Sequence, residues 1–327
     1  MKQGRVSTTL KLVPPASRLR KSAPKEKFSK TVGRNQKIRK GIGLFFVYAF
    51  LILMAIVVLF PFYYMIAASF MTQQEANSGA WLPALSSAWE NAIYNYTNTF
   101  TRLQFMEHVG TTLIVAIATT ILQLLTTVLA SFAFARLRFR GRDVLFLLFL
   151  ATMMVPGELL AIANYTTMAN MHLIGKNQTY WQALLVMILP LIASSFYIYL
   201  LRQNFKQIPE ELYLAAKVDG KSDWQFLWKV MAPLSSPTLI TIAILSFIGS
   251  WNSYVWPSRA VSKSEYQVIS VIIRTGVLTV QDETGNWVTM LPWQMTASVL
   301  TVVPLLILFI VFRKYIMSGT SKAGIKG

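Results

Sequence analysis

Few residues in this 327-residue chain could do chemistry, and most of those lie in apolar surroundings. There is no cysteine, which removes thiolate metal sites and a cysteine nucleophile. The two histidines, His108 and His172, have no acidic or metal-ligand partner at useful spacing. No G-x-x-x-x-G-K-[ST] run occurs, so the chain lacks that loop for cradling the phosphates of ATP. What remains is Glu158, two residues after Pro156 in an apolar run, Asn164 further along it, and the run Ser250-Trp251-Asn252-Ser253-Tyr254. Polar groups inside a membrane are expensive and default to functional candidates. An indole or phenol beside amides and hydroxyls suits a sugar, whose apolar face stacks while its hydroxyls bond. Asn and Ser also join membrane helices by hydrogen bonds, a reading that stays open for Asn252. A lone intramembrane acid is what a secondary transporter would use, so Glu158 keeps that alternative open.

The elements that must position these residues are membrane helices. The chain is 54% hydrophobic and only 13% charged, far below the roughly 25% charged content of a soluble domain. Residues 43–70, 110–135, 144–166, 181–201, 234–256 and 293–312 form six apolar stretches, each long enough to cross a bilayer at about 20 residues. Separate spans of this kind must be helices, because each helix satisfies its own backbone. The alternation of a membrane β-barrel is absent. Pro61, Pro156, Pro190 and Pro304 fall inside the spans and read as local kinks. The expected fold is an all-α integral membrane protein with six transmembrane helices.

Charge orients the spans. Residues 1–40 carry 13 Lys and Arg against one acid, Glu26. Residues 136–143 carry four, 202–233 five, and the chain beyond residue 312 four; the other three loops share five. Positive charge concentrates on the cytosolic side, so both termini and the loop at 202–233 are expected there. Residues 1–42 read as a disordered cytosolic tail that favours anionic lipid. The same concentration argues against nucleic acid as a partner. The outer loops 71–109, 167–180 and 257–292 have net charges of −2, +1 and 0, which disfavours an anionic solute drawn in by this chain alone.

The cytosolic loop "KQIPEELYLAAKVDGKSDWQFLWKVMAPL" (206–234) is polar where its neighbours are not. Pro209 suits a helix start, and Glu210 and Glu211 favour the positive end. Gly220 is placed to end that helix in a left-handed conformation. Ser222 and Gln225 make a capping box for a second helix. Trp224, Leu227, Trp228 and Met231 then recur at helical spacing as an apolar face, and Pro233 stops it. The result is a short helix pair at the cytosolic surface. Small Ala215 and Ala216 would let a partner approach closely.

"AAKVDG" at 215–220, with Pro233 beyond it, resembles the EAA loop of ABC importer permeases. "LRQNFKQIPEELYLAAKVDGKSDWQ" (201–225), "FIGSWNSYVWP" (247–257), "NQTYW" (177–181), "ASVLTVVPLLILF" (297–309) and "GTSKAGIKG" (319–327) are similar to the carbohydrate-uptake, maltose-type branch with six spans. The resemblance covers roughly residues 44–327. It implies a type I ABC importer permease fold, with a permease domain at 43–316, a coupling loop at 206–233 and a C-terminal cytosolic tail at 317–327. It also implies the partners: a cytosolic ABC ATPase dimer, a second permease as heterodimer, and an external solute-binding protein. No cofactor would be bound by this chain; ATP and Mg would be used by the ATPase. Glu210, Glu211, Leu214, Ala215, Ala216, Asp219, Gly220 and Pro233 would form the docking loop, while Glu158, Asn164, Trp251, Asn252 and Tyr254 would line the solute path. The implied solute is a sugar or oligosaccharide, with a polyol or glycerol-phosphate-like compound as the alternative. One departure is plain: the acid that names the loop is Leu214 here, so either Glu211 takes its place or this subunit relies on packing.

Overall fold

The computed structural model describes the backbone of residues 25–275, 278–281 and 285–321 and, except at 25–40, 42, 158 and 314–321, their side chains. Contacts divide the chain into two units, Met1–Pro61 and Phe62–Gly327. The described part of the first unit belongs to one helix, Lys25–Ala68. Between Leu44 and Phe60 its large apolar side chains are exposed all round, the mark of a helix whose solvent is lipid. The described residues start at Lys25, already in this helix, so residues 25–42 of the expected disordered tail are helical; residues 1–24 lie outside the described residues.

In the second unit, two unbroken spans, the second and the sixth, enclose three consecutive spans that are broken or entered through a bend. The second span is one helix, Phe105–Ala135, five residues longer at its outer end than expected. The third is broken into Arg142–Met154 and Leu159–Asn170, bent by 106°. Pro156 explains where: a residue before proline is pushed out of the helical region, and Val155 is extended at φ −83°, ψ 120°. The fourth is Tyr180–Leu191 plus Ser195–Gln207, bent by 49° after Pro190. The fifth, Ser236–Trp251, starts after an 80° bend at Ser235. The sixth helix runs from Leu291 to Ser321, well past the expected end at 312. Among the described residues, three helices are long and apolar enough to cross a membrane alone, and there are up to six spans if each bent pair is one span.

The second span is the axis of this unit. Its side chains donate to backbone carbonyls of the fourth span along its inner half, from Gln123 to Arg136. Gln123 Nε2 reaches Leu191 O at 2.8 Å and Thr126 Oγ1 reaches Ile192 O, at the break after Pro190. Further inward Ser131 Oγ bonds Ile198 O at 2.9 Å, and Arg136 bonds the carbonyls of Phe205 and Ile208. Arg202 returns one bond to Phe134 O at 3.1 Å. A break in a membrane helix frees carbonyls that must be satisfied; here the neighbouring span supplies the donors. Gln123 also accepts from Ser246 Oγ of the fifth span, so one amide ties three spans together.

At the outer end, helix Ala88–Arg102 turns polar residues inward: Asn95 Nδ2 bonds Ser69 O and Met71 O at 3.0 and 2.9 Å. The described residues depart from all-α once. Thr279–Gln281 and Trp287–Thr289 form a small antiparallel hairpin.

Candidate functional site

The cytosolic loop is built from local rules and then bolted to the bundle. Ile208 and Pro209 are extended, and the helix Glu210–Val218 comes next with both acids in its first turn. Asp219 caps its C-terminus and Gly220 takes φ +72°. The Lys221 amide closes back on Ala216 O at 2.9 Å and the Gly220 amide on Lys217 O at 3.1 Å, the double bond pattern that terminates a helix through a left-handed glycine. Ser222 and Gln225 form the expected capping box, each accepting from the other's amide at 3.2 Å.

The second helix is where the spacing argument fails. Asp223–Phe226 is α-helical, Leu227–Met231 is a π-turn, and Ala232–Leu234 resumes the helix. A π-turn inserts an extra residue and rotates the residues beyond it. Trp224 and Trp228 pair edge to face, 5.6 Å between ring centres, and remain 60% and 37% exposed. Phe226, Leu227 and Met231 are the buried ones. Pro233 is exposed in the last turn; the chain runs on through Leu234 and bends at Ser235.

Phe226, Leu227 and Met231 join Val128, Phe132, Leu201, Phe205 and Ile242 in one apolar core. Tyr213 and Ala216 of the first loop helix pack on that core. Tyr213 also stands edge-on to Phe226, 5.1 Å between ring centres, and its hydroxyl donates to Asp223 Oδ1 at 2.6 Å. Lys217 Nζ meets the same carboxylate at 2.8 Å. The bond from Lys217, then that from Tyr213, holds the Asp223 carboxyl below its ordinary range. The bond to Asp223 correspondingly raises Lys217. The two loop helices are thus pinned to each other and to three spans.

This mounting splits the expected docking residues. Glu211, Leu214, Ala215 and Val218 share one helix face, and all are exposed, Leu214 by 52% and Val218 by 88%. Asp219 and Gly220 are exposed at the turn. Glu210 is exposed and bonds Arg138 at 3.4 Å. Ala216 is turned into the protein's own core, so only one of the two alanines is free to meet a partner.

The outer polar run does not act as one surface. Trp251 is fully buried and stacks on Phe247 at 6.0 Å, so it packs the bundle interior and offers no face to a sugar. Asn252 is exposed, but its amide bonds Ile248 O on its own helix. Tyr254 is half-buried, with the Arg274 guanidinium 4.3 Å over its ring. Asn164 is half-buried on the outer half of the third span. Glu158 lies in the helix Gly157–Asn170, and its side chain is outside the described residues. The histidines are structural: buried His108 bonds Gln267 O at 2.8 Å, and His172 is left-handed at a helix end with its carbonyl bonded by Gln182. No cluster of metal-ligating side chains occurs among the described residues.

Residues 126–322 match the family described as binding-protein-dependent transport system inner membrane component. The chain belongs to this family. It is therefore a permease component of a binding-protein-dependent ABC transport system, a membrane-embedded transport subunit that works with an ATPase and a solute-binding protein. Among relatives, the permease is 30% identical to the arabinooligosaccharides transport system permease protein AraQ of Halalkalibacterium halodurans, over 84% of this chain and 93% of that one. It is 27% identical to the sn-glycerol-3-phosphate transport system permease protein UgpE of Yersinia pestis, over 86% and 96%. Its fold matches a chain in the crystal structure of a bacterial ABC transporter involved in the import of the acidic polysaccharide alginate. That match has a TM-score of 0.71 at 23% identity and covers 86% of this chain and 98% of the other. The permease fold expected from the coupling loop and six spans is the one observed.

Proposed function

We propose that this permease forms half of the translocation path for a sugar or oligosaccharide and is driven by a cytosolic ABC ATPase dimer docked on the loop at 206–233. The observation that carries this reading is the exposed face Glu211–Leu214–Ala215–Val218 on a helix pinned to the bundle. A docking element must be both accessible and rigidly connected, because closure of the ATPase would move the loop, and the loop must move the spans as a body. The second, fourth and fifth spans are cross-bonded through Gln123 and Arg136, so force on the loop is delivered to three spans at once. Leu214 makes the centre of the face apolar, and Glu211 on the same face supplies the acid.

The remaining partners complete the reading: a second, non-identical permease closes the path, and an external binding protein delivers the solute. Both termini face the cytosol. The chain binds no cofactor itself, while ATP and Mg act in the ATPase. Relatedness to AraQ supports the carbohydrate reading. Relatedness to UgpE supports a second reading, a glycerol-phosphate-like or polyol solute. The test is reconstitution of the whole transporter in liposomes, with import of labelled oligosaccharides and glycerol phosphate measured with and without ATP and binding protein. Import that needs both supports the proposal. Uptake by this chain alone, without ATP, contradicts it and returns attention to Glu158.

A further inference from the structure

A groove of about 650 Å³ opens on the outer half of the third span, beyond the break at Pro156. Its lining is Leu159, Ala161, Ile162, Tyr165 and Thr166 from that span, with Val255 and Arg259 from the short helix after the fifth. Leu159 and Ile162 are 64% and 75% exposed and make an apolar floor. Tyr165 presents its ring and hydroxyl, and Thr166 presents a hydroxyl whose hydrogen is committed to Ile162 O, leaving the oxygen free to accept. Arg259 is exposed, and among the described residues its guanidinium has no acidic partner. Glu265, a described acid of the same outer loop, is engaged by Lys263 at 3.7 Å.

We propose that this groove is an oxyanion subsite on the solute path: the solute carries a carboxylate or phosphate that Arg259 receives, while its ring lies on Ile162 and Tyr165. A guanidinium is a planar fork of donors matched to a two-oxygen anion. An apolar floor beside a tyrosine suits the C–H face of a sugar ring. The net charge of zero over 257–292 says nothing against a single arginine at the groove, because it sums three cations and three acids wherever they lie. The proposal rests on the reading of this chain as half of a carbohydrate path, and it narrows that reading to acidic or phosphorylated carbohydrates. The same chemistry could also be met by a phospholipid headgroup, and the experiment separates the two sources.

The experiment uses the complete transporter with its binding protein in liposomes of phosphatidylcholine alone and of phosphatidylcholine with phosphatidylglycerol. The probes are a uronate trisaccharide, a phosphorylated sugar and a neutral trisaccharide of the same linkage. The expected result is import of an acid-bearing probe in preference to the neutral one. Arg259→Gln should raise KM for that probe about tenfold or more in both lipids, and Arg259→Lys, which keeps the charge but loses the fork, should fall between wild type and Arg259→Gln. Preference for the neutral probe, or an unchanged KM in Arg259→Gln, overturns the subsite. An Arg259→Gln effect confined to phosphatidylglycerol liposomes assigns the arginine to lipid and also overturns it. Failure to import any carbohydrate probe while the ATPase still assembles counts against the carbohydrate reading itself, and the subsite falls with it.

Discussion

Gly220 gives the sharpest perturbation of the docking loop. It sits at φ +72°, and a Cβ built there meets nothing within 4 Å. Within this chain a side chain at 220 therefore meets no clash, and the penalty is conformational alone. A left-handed backbone costs an ordinary residue about 1–2 kcal/mol, and a β-branched one more, because its side chain is stiffest against that geometry. An equilibrium penalty of about 1–2 kcal/mol reduces the native turn relative to its alternatives by roughly five- to thirtyfold. Gly220→Val should accordingly uncouple solute transport from ATP hydrolysis while the chain still inserts and folds. Gly220→Asn should largely restore coupling, since asparagine enters the left-handed region readily. The assay is co-purification of the ATPase together with binding-protein-stimulated ATP hydrolysis in liposomes, for wild type, Gly220→Asn, Gly220→Ala and Gly220→Val. The predicted order of activity is wild type, Asn, Ala, Val. If Asn fails as badly as Val, the glycine is required because a partner closes on it, and the backbone argument is wrong. If Val couples like wild type, the turn has no role in docking.

Three more outcomes are expected from the bundle and the loop. Gln123→Leu strips a donor from Leu191 O at the fourth-span break and should destabilise the detergent-solubilised protein by about 1–3 kcal/mol, seen as a lowered Tm in a thermal unfolding series. Asp223 is held below its ordinary pKa by Lys217 and Tyr213. Its contribution to pinning the loop is therefore fully present above the unfolded value, about 3.9, and is lost as pH falls through the lower folded value. Hydrogen exchange at residues 213–226 should stay protected down to about pH 4 in wild type, whereas Asp223→Asn should show weakened protection already at neutral pH. Leu214 borders a groove that also holds Arg136 and Arg138, so Leu214→Glu should find a cation and change ATPase association by no more than about fivefold. Complete loss of assembly in a pull-down would mean that Leu214 fills an apolar cleft in the partner.

Local chemistry makes the loop legible from its residues alone. Gly220, the Ser222–Gln225 capping box and the acids after Pro209 each specify their conformation from residues a few positions apart, and each is found as expected. The π-turn at Leu227–Met231 is not legible, because helical spacing assumes an unbroken α-helix, whereas here the turn accompanies the seating of Phe226, Leu227 and Met231 in a core built from three spans. The same limit applies to Ala215 and Ala216: the pair is visible as small residues, but which one faces outward is decided by the core beneath. Pro156 marks a kink in the third span, yet its size, 106°, depends on neighbours as well as on the proline. Gln123 can be recognised only as a polar residue in an apolar run. Its partner is a carbonyl 68 residues away at the break after Pro190. Trp251 shows the cost of reading a short polar–aromatic run as one surface, since consecutive helical residues point in different directions and this one points into the bundle.

Because the chain has no cysteine, the central claim can be tested by single-cysteine cross-linking without removing anything. Ala215→Cys and Ala216→Cys would each be placed in the intact membrane-embedded transporter and treated with a short thiol cross-linker, and the products would be identified by mass spectrometry. The account predicts that residue 215, on the exposed face with Leu214 and Val218, cross-links to the cytosolic ATPase, while residue 216, against the chain's own core, does not. Cross-linking through 216 alone, or no ATPase adduct from 215, would contradict docking through this face.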